Sequence, residues 1–307
     1  MKSIRQEFAD TILEVGKQNQ NLVVLVADIS HGILKNFAKS CPNRYYNIGI
    51  CEPSVVNMAA GLSKLNLIPV VHTIAPFIVE RSYEQIKLDF GYQKLGINLI
   101  TVGGSFDYSQ LGCSHHCYTD VSLMSHFSQS NIFIPGSPKE FNVLFKKNYD
   151  NGKINYFRIT NSPHNFNINE NDIKLGKGIV IREGHDITIS TIAPQLQTVI
   201  KTAERMKKEK NISVEIIYFP TLKPFDKELV KNSVSKTKKL ITFEELSQHD
   251  GLFNLCIKSL AGIDGISVEQ IAINDFVHNY GSYEDLCDSQ GLNAQNLYQK
   301  ILGLLNK

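Results

Sequence analysis

Short, β-rich apolar runs alternate with helical periodicity along the first half of the chain, and that alternation most limits the folds open to it. Residues 22–27 (LVVLVA), 68–71, 99–102 and 132–134 read as strands with almost no polar interruption. Strands that are apolar on both faces must be covered on both faces, as in a parallel sheet wrapped by helices. The helical patterns between them supply that cover. In the first of these, MKSIRQEFADTILEVG, the residues Ile4, Phe8, Ile12 and Val15 share one stripe. Charges interleave with it, unlike the continuous apolar core of a signal peptide, and Gly16 marks the expected helix end. A fourth strand-to-helix unit follows Pro135-Gly136, where Ser137 is placed to cap and Pro138 suits the first turn.

The pattern lapses between 161 and 171, a stretch dense in Asn around Pro163, as a connection between two domains would be. We set the first domain at 1–165, a linker at 166–175 and the second domain at 176–307. In the second, 186–192, 214–219 and 239–243 read as strands and 195–208 as a helix, giving a smaller α/β unit. A length of 307 residues suffices for two such domains, each burying its own core. The expectation is an α/β chain of two domains, each with a mainly parallel sheet flanked by helices.

Charge and cysteine usage then narrow the partners. No apolar run approaches the length of a membrane span, and a net charge of +2 without a concentrated basic face argues against nucleic acid. The one basic run, 207–210, reads as solvated helix surface. Six cysteines, at 41, 51, 113, 117, 256 and 287, form no paired C-x-x-C sets, so disulfides are not expected and the compartment read from them is the cytoplasm.

Chemistry concentrates in residues 45–62, YYNIGICEPSVVNMAAGL. An extended segment delivers the Glu52 carboxylate to the start of a helix rich in small residues, with Pro53 in its first turn. By itself such a glutamate is more often a partner of the helix dipole than a catalyst. The whole string, however, resembles the pyrimidine-domain signature of the transketolases. Two further segments, PFIVERSYEQI (76–86) and LGCSHHCYTDVSLM (111–124), resemble the next two motifs of that family in the same order. The likeness continues through FPTLKPFD (219–226), TFEE (242–245) and YGSYEDL (280–286) followed by Gly291-Leu292, and so spans essentially the whole chain.

The resemblance implies one half of a split, thiamine-diphosphate-dependent transketolase, moving a two-carbon ketol unit from a ketose to an aldose. It makes Glu52 the catalytic acid bonded to the cofactor's ring nitrogen and His115 the histidine facing the thiazolium and a substrate hydroxyl. Phe77 becomes the stacking face for the aminopyrimidine, with Asp28 and Ile50 as further cofactor contacts. Arg81, Ser114, His116 and Arg158 become substrate contacts. The family's G-D-G motif, whose Asp and a later Asn hold Mg²⁺ and the diphosphate, is absent; Gly262-Ile263-Asp264-Gly265 carries an extra residue and reads as a turn. A companion diphosphate-binding subunit is therefore implied, with two copies of each chain, and this chain is expected to hold no metal itself.

Several positions depart from the family pattern. Leu111 stands where an Asp is usual, Cys51 and Pro53 flank the glutamate, and Asn161 replaces the second Arg of an R-x-x-R segment. Losing an arginine removes a bidentate phosphate grip, so an altered sugar substrate is expected. Other readings of the same residues remain open at this point. Cys113-Ser114-His115-His116-Cys117 has zinc-ligand side chains, though no second pair. A β subunit of a 2-oxo acid dehydrogenase shares this domain plan, and a non-catalytic regulatory subunit could retain the fold.

Overall fold

The computed structural model describes residues 2–306. Helix α1 (Ile4–Gln18) starts at Ser3, whose hydroxyl accepts the Gln6 N–H, and its stripe of Ile4, Phe8, Ile12 and Val15 is buried. The helix does not stop at Gly16 as expected. It runs on to Gln18, and a Cβ at Gly16 would stand 2.5 Å from Phe37 of helix α2 (His31–Ser40). Gly16 thus serves the close approach of two helices, not a helix end.

The first sheet contains β1 (Leu22–Val26), β2 (Tyr45–Asn47), β3 (Ile68–Ile74), β4 (Ile97–Val102), β5 (Ser130–Phe133) and β6 (Ile154–Arg158). In space they run β5-β6-β4-β3-β1-β2, all parallel, with Val24 of β1 opposite Tyr45 on one side and Val70 on the other. Helix α3 (Glu52–Lys64) joins β2 to β3. Between β3 and β4 the chain forms a π-helical turn, Pro76–Glu80, a short α4 (Tyr83–Gln85) and a π-helical continuation, Ile86–Tyr92. Helices α5 (Asp120–Ser125) and α6 (Pro138–Asn148) complete the unit, α6 capped by Ser137 as expected.

Strand β6 is hidden in the sequence because its buried polar residues break the apolar run. Asn155 donates to Asn98 of β4 and accepts from Asn131 of β5, so three buried amides satisfy one another across adjacent strands.

The second sheet runs β12-β11-β8-β9-β7, from β7 (Ile179–Arg182), β8 (Ile187–Thr191), β9 (Val214–Tyr218), β11 (Lys239–Ser247) and β12 (Ser267–Ile273). It is parallel except for β7 against β9. Around it lie α7 (Leu196–Lys210), α8 (Lys227–Thr237), α9 (Leu252–Ser259), α10 (Tyr283–Ser289) and α11 (Ala294–Leu305). The three residues of β10 (Thr221–Lys223) leave this unit and pair antiparallel with β5, extending the first sheet. Tyr218 adds a second tie, its hydroxyl donating to buried Glu140 of α6 at 2.7 Å. Ile168 and Ile173 of the connecting segment are themselves buried. Among the described residues no helix is long and apolar enough to cross a membrane.

Candidate functional site

Four neighbouring parallel strands, β4, β3, β1 and β2, release their chains at the same edge of the first sheet, and the sequence-derived candidates other than Arg158, the last residue of β6, sit in the four loops that follow. Ligands of open parallel sheets bind beyond this carboxyl edge.

After β2, Asn47 organises the turn to Glu52. Its side-chain oxygen accepts the Asp28 N–H at 3.1 Å and the Gly49 N–H at 3.0 Å, while its amide donates to the Asp28 carboxylate at 3.1 Å. Gly49 has φ of +79°, a conformation open to glycine, and the chain then enters α3 at Glu52. The Glu52 residue is 1% exposed. Its Oε2 accepts a hydrogen bond from Arg81 Nη1 at 2.9 Å, an ion pair whose arginine side chain is 47% exposed.

After β3, the π-helical turn presents Phe77. The Arg81 guanidinium lies over its ring, 4.2 Å from the centroid, and the His115 imidazole meets it edge-on with centroids 5.0 Å apart. His115 comes from the loop after β4, where Ser114 Oγ is 3.0 Å from His115 Nδ1 and the Tyr108 ring stands 6.3 Å away. Glu52, Arg81, Phe77, Ser114 and His115 are therefore brought together from three loops. Ile50, 69% exposed, stands on the turn just before Glu52.

After β1, Asp28 lies in an exposed knot rather than against Phe77. His31 Nε2 bonds its carboxylate at 2.8 Å, and His31 first and Asn47 second hold Asp28 below the ordinary carboxylate range. Next to it, Ser30 Oγ accepts from Arg5 Nε and Nη2 at 2.9 and 2.7 Å and lies 2.7 Å from Nε2 of buried His72. Burial pushes His72 down to about 3, so its ring is neutral. Its Nδ1–H donates to Ile100 O at 2.8 Å, which leaves Nε2 to accept the Ser30 hydroxyl proton.

Two sequence-derived substrate contacts turn inward instead. His116 is buried against Phe106, with Nε2 3.4 Å from Ser109 O, and burial pushes its imidazole down. Arg158 is 3% exposed, and its Nε donates to Asp120 Oδ2 at 2.9 Å, an oxygen that also accepts the Tyr156 hydroxyl at 2.5 Å. Its Nη2 reaches the carbonyls of Cys117 and Glu245 at 3.3 and 3.4 Å. Arg158 thus ties the base of the His115 loop to the second domain through its Nε and Nη2. Asn161 binds Asp107 through its backbone N–H; burial first, then Glu245, pushes Asp107 up to about 7.

The zinc reading fails on geometry. Cys117 is buried and faces Glu80 at 3.6 Å, Cys113 is exposed, and among the described residues no three His, Cys, Asp or Glu side chains converge to hold a metal ion. Tyr280 was a silent member of a motif in the sequence, yet its exposed ring packs on Gly112, where a Cβ would be 2.9 Å from Tyr280 Cε1.

This is the architecture of a thiamine-type pyrimidine-binding domain followed by its C-terminal companion domain. The transketolase pyrimidine binding domain model matches residues 1–162 and the transketolase C-terminal domain model residues 176–297. The chain belongs to the transketolase family, whose members depend on thiamine diphosphate. It is 27% identical to an apulose-4-phosphate transketolase subunit from Phocaeicola vulgatus, over 100% of this chain and 99% of that one. It is 26% identical to the 6-deoxy-6-sulfo-D-fructose transketolase subunit SqwH of Clostridium sp. (strain MSTE9), covering 96% and 92% of the two chains. A solved chain described as a split gene transketolase, inactive beta4 tetramer, superposes with a TM-score of 0.89 at 27% identity, covering 100% of this chain and 99% of that one.

Proposed function

We propose that this chain forms the aminopyrimidine side of a thiamine diphosphate site and, with a companion subunit that holds the Mg²⁺-diphosphate end, transfers a two-carbon ketol unit between sugars. The observation that carries the reading is the convergence of a buried carboxylate, Glu52, with an aromatic face, Phe77, and an imidazole, His115, at one sheet edge. The residues present fit the pyrimidine end of the cofactor, which needs a flat apolar face and one carboxyl in its ring plane. When bound, thiamine diphosphate supplies the carbon nucleophile that cleavage of a ketose carbon–carbon bond requires.

The chain's own groups have separable tasks. Glu52, fixed at the first residue of α3, hydrogen-bonds the ring nitrogen and passes a proton at that atom. Phe77 orients the ring by contact with its face. In His115 the Nδ1 is engaged by Ser114, so Nε2 is the nitrogen for a substrate oxygen, where it stabilises charge developing as the bond breaks and reforms. Ile50, exposed on the turn before Glu52, offers the cofactor an apolar contact, and Asp28 acts through Asn47, which shapes the approach to Glu52.

The substrate is a specialised sugar. The relatives named for apulose 4-phosphate and 6-deoxy-6-sulfo-D-fructose support this, as does the lip of the His115 loop, where exposed Leu111 precedes Gly112 and Tyr280. Two copies of each subunit would complete two sites, and six free thiols fit a reducing cytoplasm.

The test is the complex reconstituted with its companion and a panel of ketose donors and aldose acceptors, comparing wild type with Glu52→Gln. Transfer should drop at least about a hundredfold, while melting temperature and subunit association hold. A mutant complex within a few-fold of wild type would refute the assignment.

A further inference from the structure

The geometry points to Arg81 as an internal occupant of the pyrimidine seat, a side chain that the cofactor's ring must displace; this rests on the reading of Glu52 and Phe77 given above. One planar cation makes both contacts assigned there to the aminopyrimidine. Arg81 Nη1 bonds Glu52 Oε2 at 2.9 Å, and its Cζ lies 4.2 Å over the Phe77 ring. A guanidinium and an aminopyrimidine share a flat sp² face, and the ring nitrogen, once it has taken the Glu52 proton, presents an N–H at its edge as the guanidinium does. Two such groups cannot share one ring face and one carboxylate oxygen.

Burial decides which partner yields. The Glu52 side chain is 2% exposed and held at the start of a helix, whereas that of Arg81 is 47% exposed on a long stem reaching in from solvent. The backbone around Phe77 is pinned: buried Ser82 donates its hydroxyl to Phe77 O at 3.1 Å. Release of the seat is therefore a swing of the Arg81 side chain, with Phe77 and Glu52 left in place. In the free chain the ion pair spares Glu52 the cost of an unpaired buried carboxylate. The ring consequently meets a seat that is open only in the fraction of molecules with Arg81 withdrawn, and its apparent affinity falls by that fraction.

The sign of the effect separates this role from a supporting one. Loss of an arginine that merely held the fold or the ring would weaken binding, whereas loss of a competitor strengthens it. The probe is 4-amino-2-methylpyrimidine, titrated by calorimetry or ligand-observed NMR into the purified chain. Arg81→Met should bind it at least about tenfold more tightly than wild type. Arg81→Lys keeps a cation for Glu52 but lacks the flat face; it should gain about threefold, and it serves if the Met variant folds poorly. Equal or weaker binding by folded variants, with wild type binding the probe, overturns the displacement role and leaves the seat standing. No binding by wild type or variants at millimolar probe overturns the seat itself and the inference with it.

Discussion

Asp120→Asn tests whether Arg158 is a structural lock. Asp120 is fully buried, and its Oδ2 receives both the Arg158 Nε–H at 2.9 Å and the Tyr156 hydroxyl at 2.5 Å. An asparagine oxygen can still accept both hydrogens but carries no charge, so the buried Arg158 guanidinium keeps only neutral acceptors, among them two carbonyls at 3.3 and 3.4 Å. Breaking a buried ion pair from one side costs about 3–5 kcal/mol, because the surviving charge stays out of water. We expect a loss in that range in urea denaturation, read as a lower midpoint with an unchanged slope. Adding Arg158→Met removes the stranded charge, and the double variant should be less destabilised than the sum of the singles by at least about 1 kcal/mol. A loss under about 1 kcal/mol for Asp120→Asn, or strict additivity, would refute the lock. If instead Arg158→Met kept full stability and raised KM for a phosphorylated sugar, the phosphate grip implied by the resemblance would stand.

Other outcomes follow from the same groups. His72 lies at about 3 when folded against 6.5 ordinarily, so the unfolded chain takes up the proton first. Its contribution is present above 6.5 and lost toward pH 3 by about 1.4 kcal/mol per unit, and His72→Gln should flatten that limb of a stability-against-pH curve. Asp107, pushed up to about 7 from 3.8, acts in the opposite sense: its contribution is present below 3.8 and lost as pH rises toward 7, and Asp107→Asn should remove that slope. The isolated chain should show no tight thiamine diphosphate binding by calorimetry; micromolar, Mg²⁺-dependent binding without a companion would contradict the half-site. Light scattering should give two copies of each subunit once the companion is added, and a chain that stays monomeric would contradict that.

What the sequence reveals follows from how local each signal is. The apolar runs of β1, β3 and β4 declare themselves because both faces of those strands are covered. Glu52, Phe77 and His115 are legible because each sits within a short contiguous motif. Partners far apart in the chain leave no such trace. Nothing in FRITN tells that Arg158 will find Asp120, or in the 76–86 segment that Arg81 will turn back onto Glu52. Strand β6 escapes notice because its polar residues are satisfied by amides on neighbouring strands, and β10 because three residues, TLK, carry no periodicity at all. Gly16 misled for a related reason: a glycine that ends a helix and a glycine that admits a neighbouring ring look the same until the neighbour is placed.

The second domain contributes none of Glu52, Phe77 and His115, yet it grips the loop that carries the last of them. The loop closes on itself where Cys117 N–H bonds Ser105 O at 3.0 Å. From outside, the Ser247 N–H donates to Tyr118 O at 3.0 Å and Phe276 packs near the Tyr118 ring. Arg158 joins Cys117 O to Glu245 O beneath, and Tyr280 covers Gly112 above. A loop held at that many points from one neighbour keeps its histidine in register with Phe77 only while the two domains stay docked. The antiparallel pairing of β10 with β5 and the Tyr218–Glu140 bond supply that docking from the far edge of the sheet. The C-terminal domain is thus a brace for His115, and Tyr280, packed on Gly112, and Leu111, the residue before that glycine, are positions where side-chain changes can reshape the lip while Glu52 and Phe77 stay fixed.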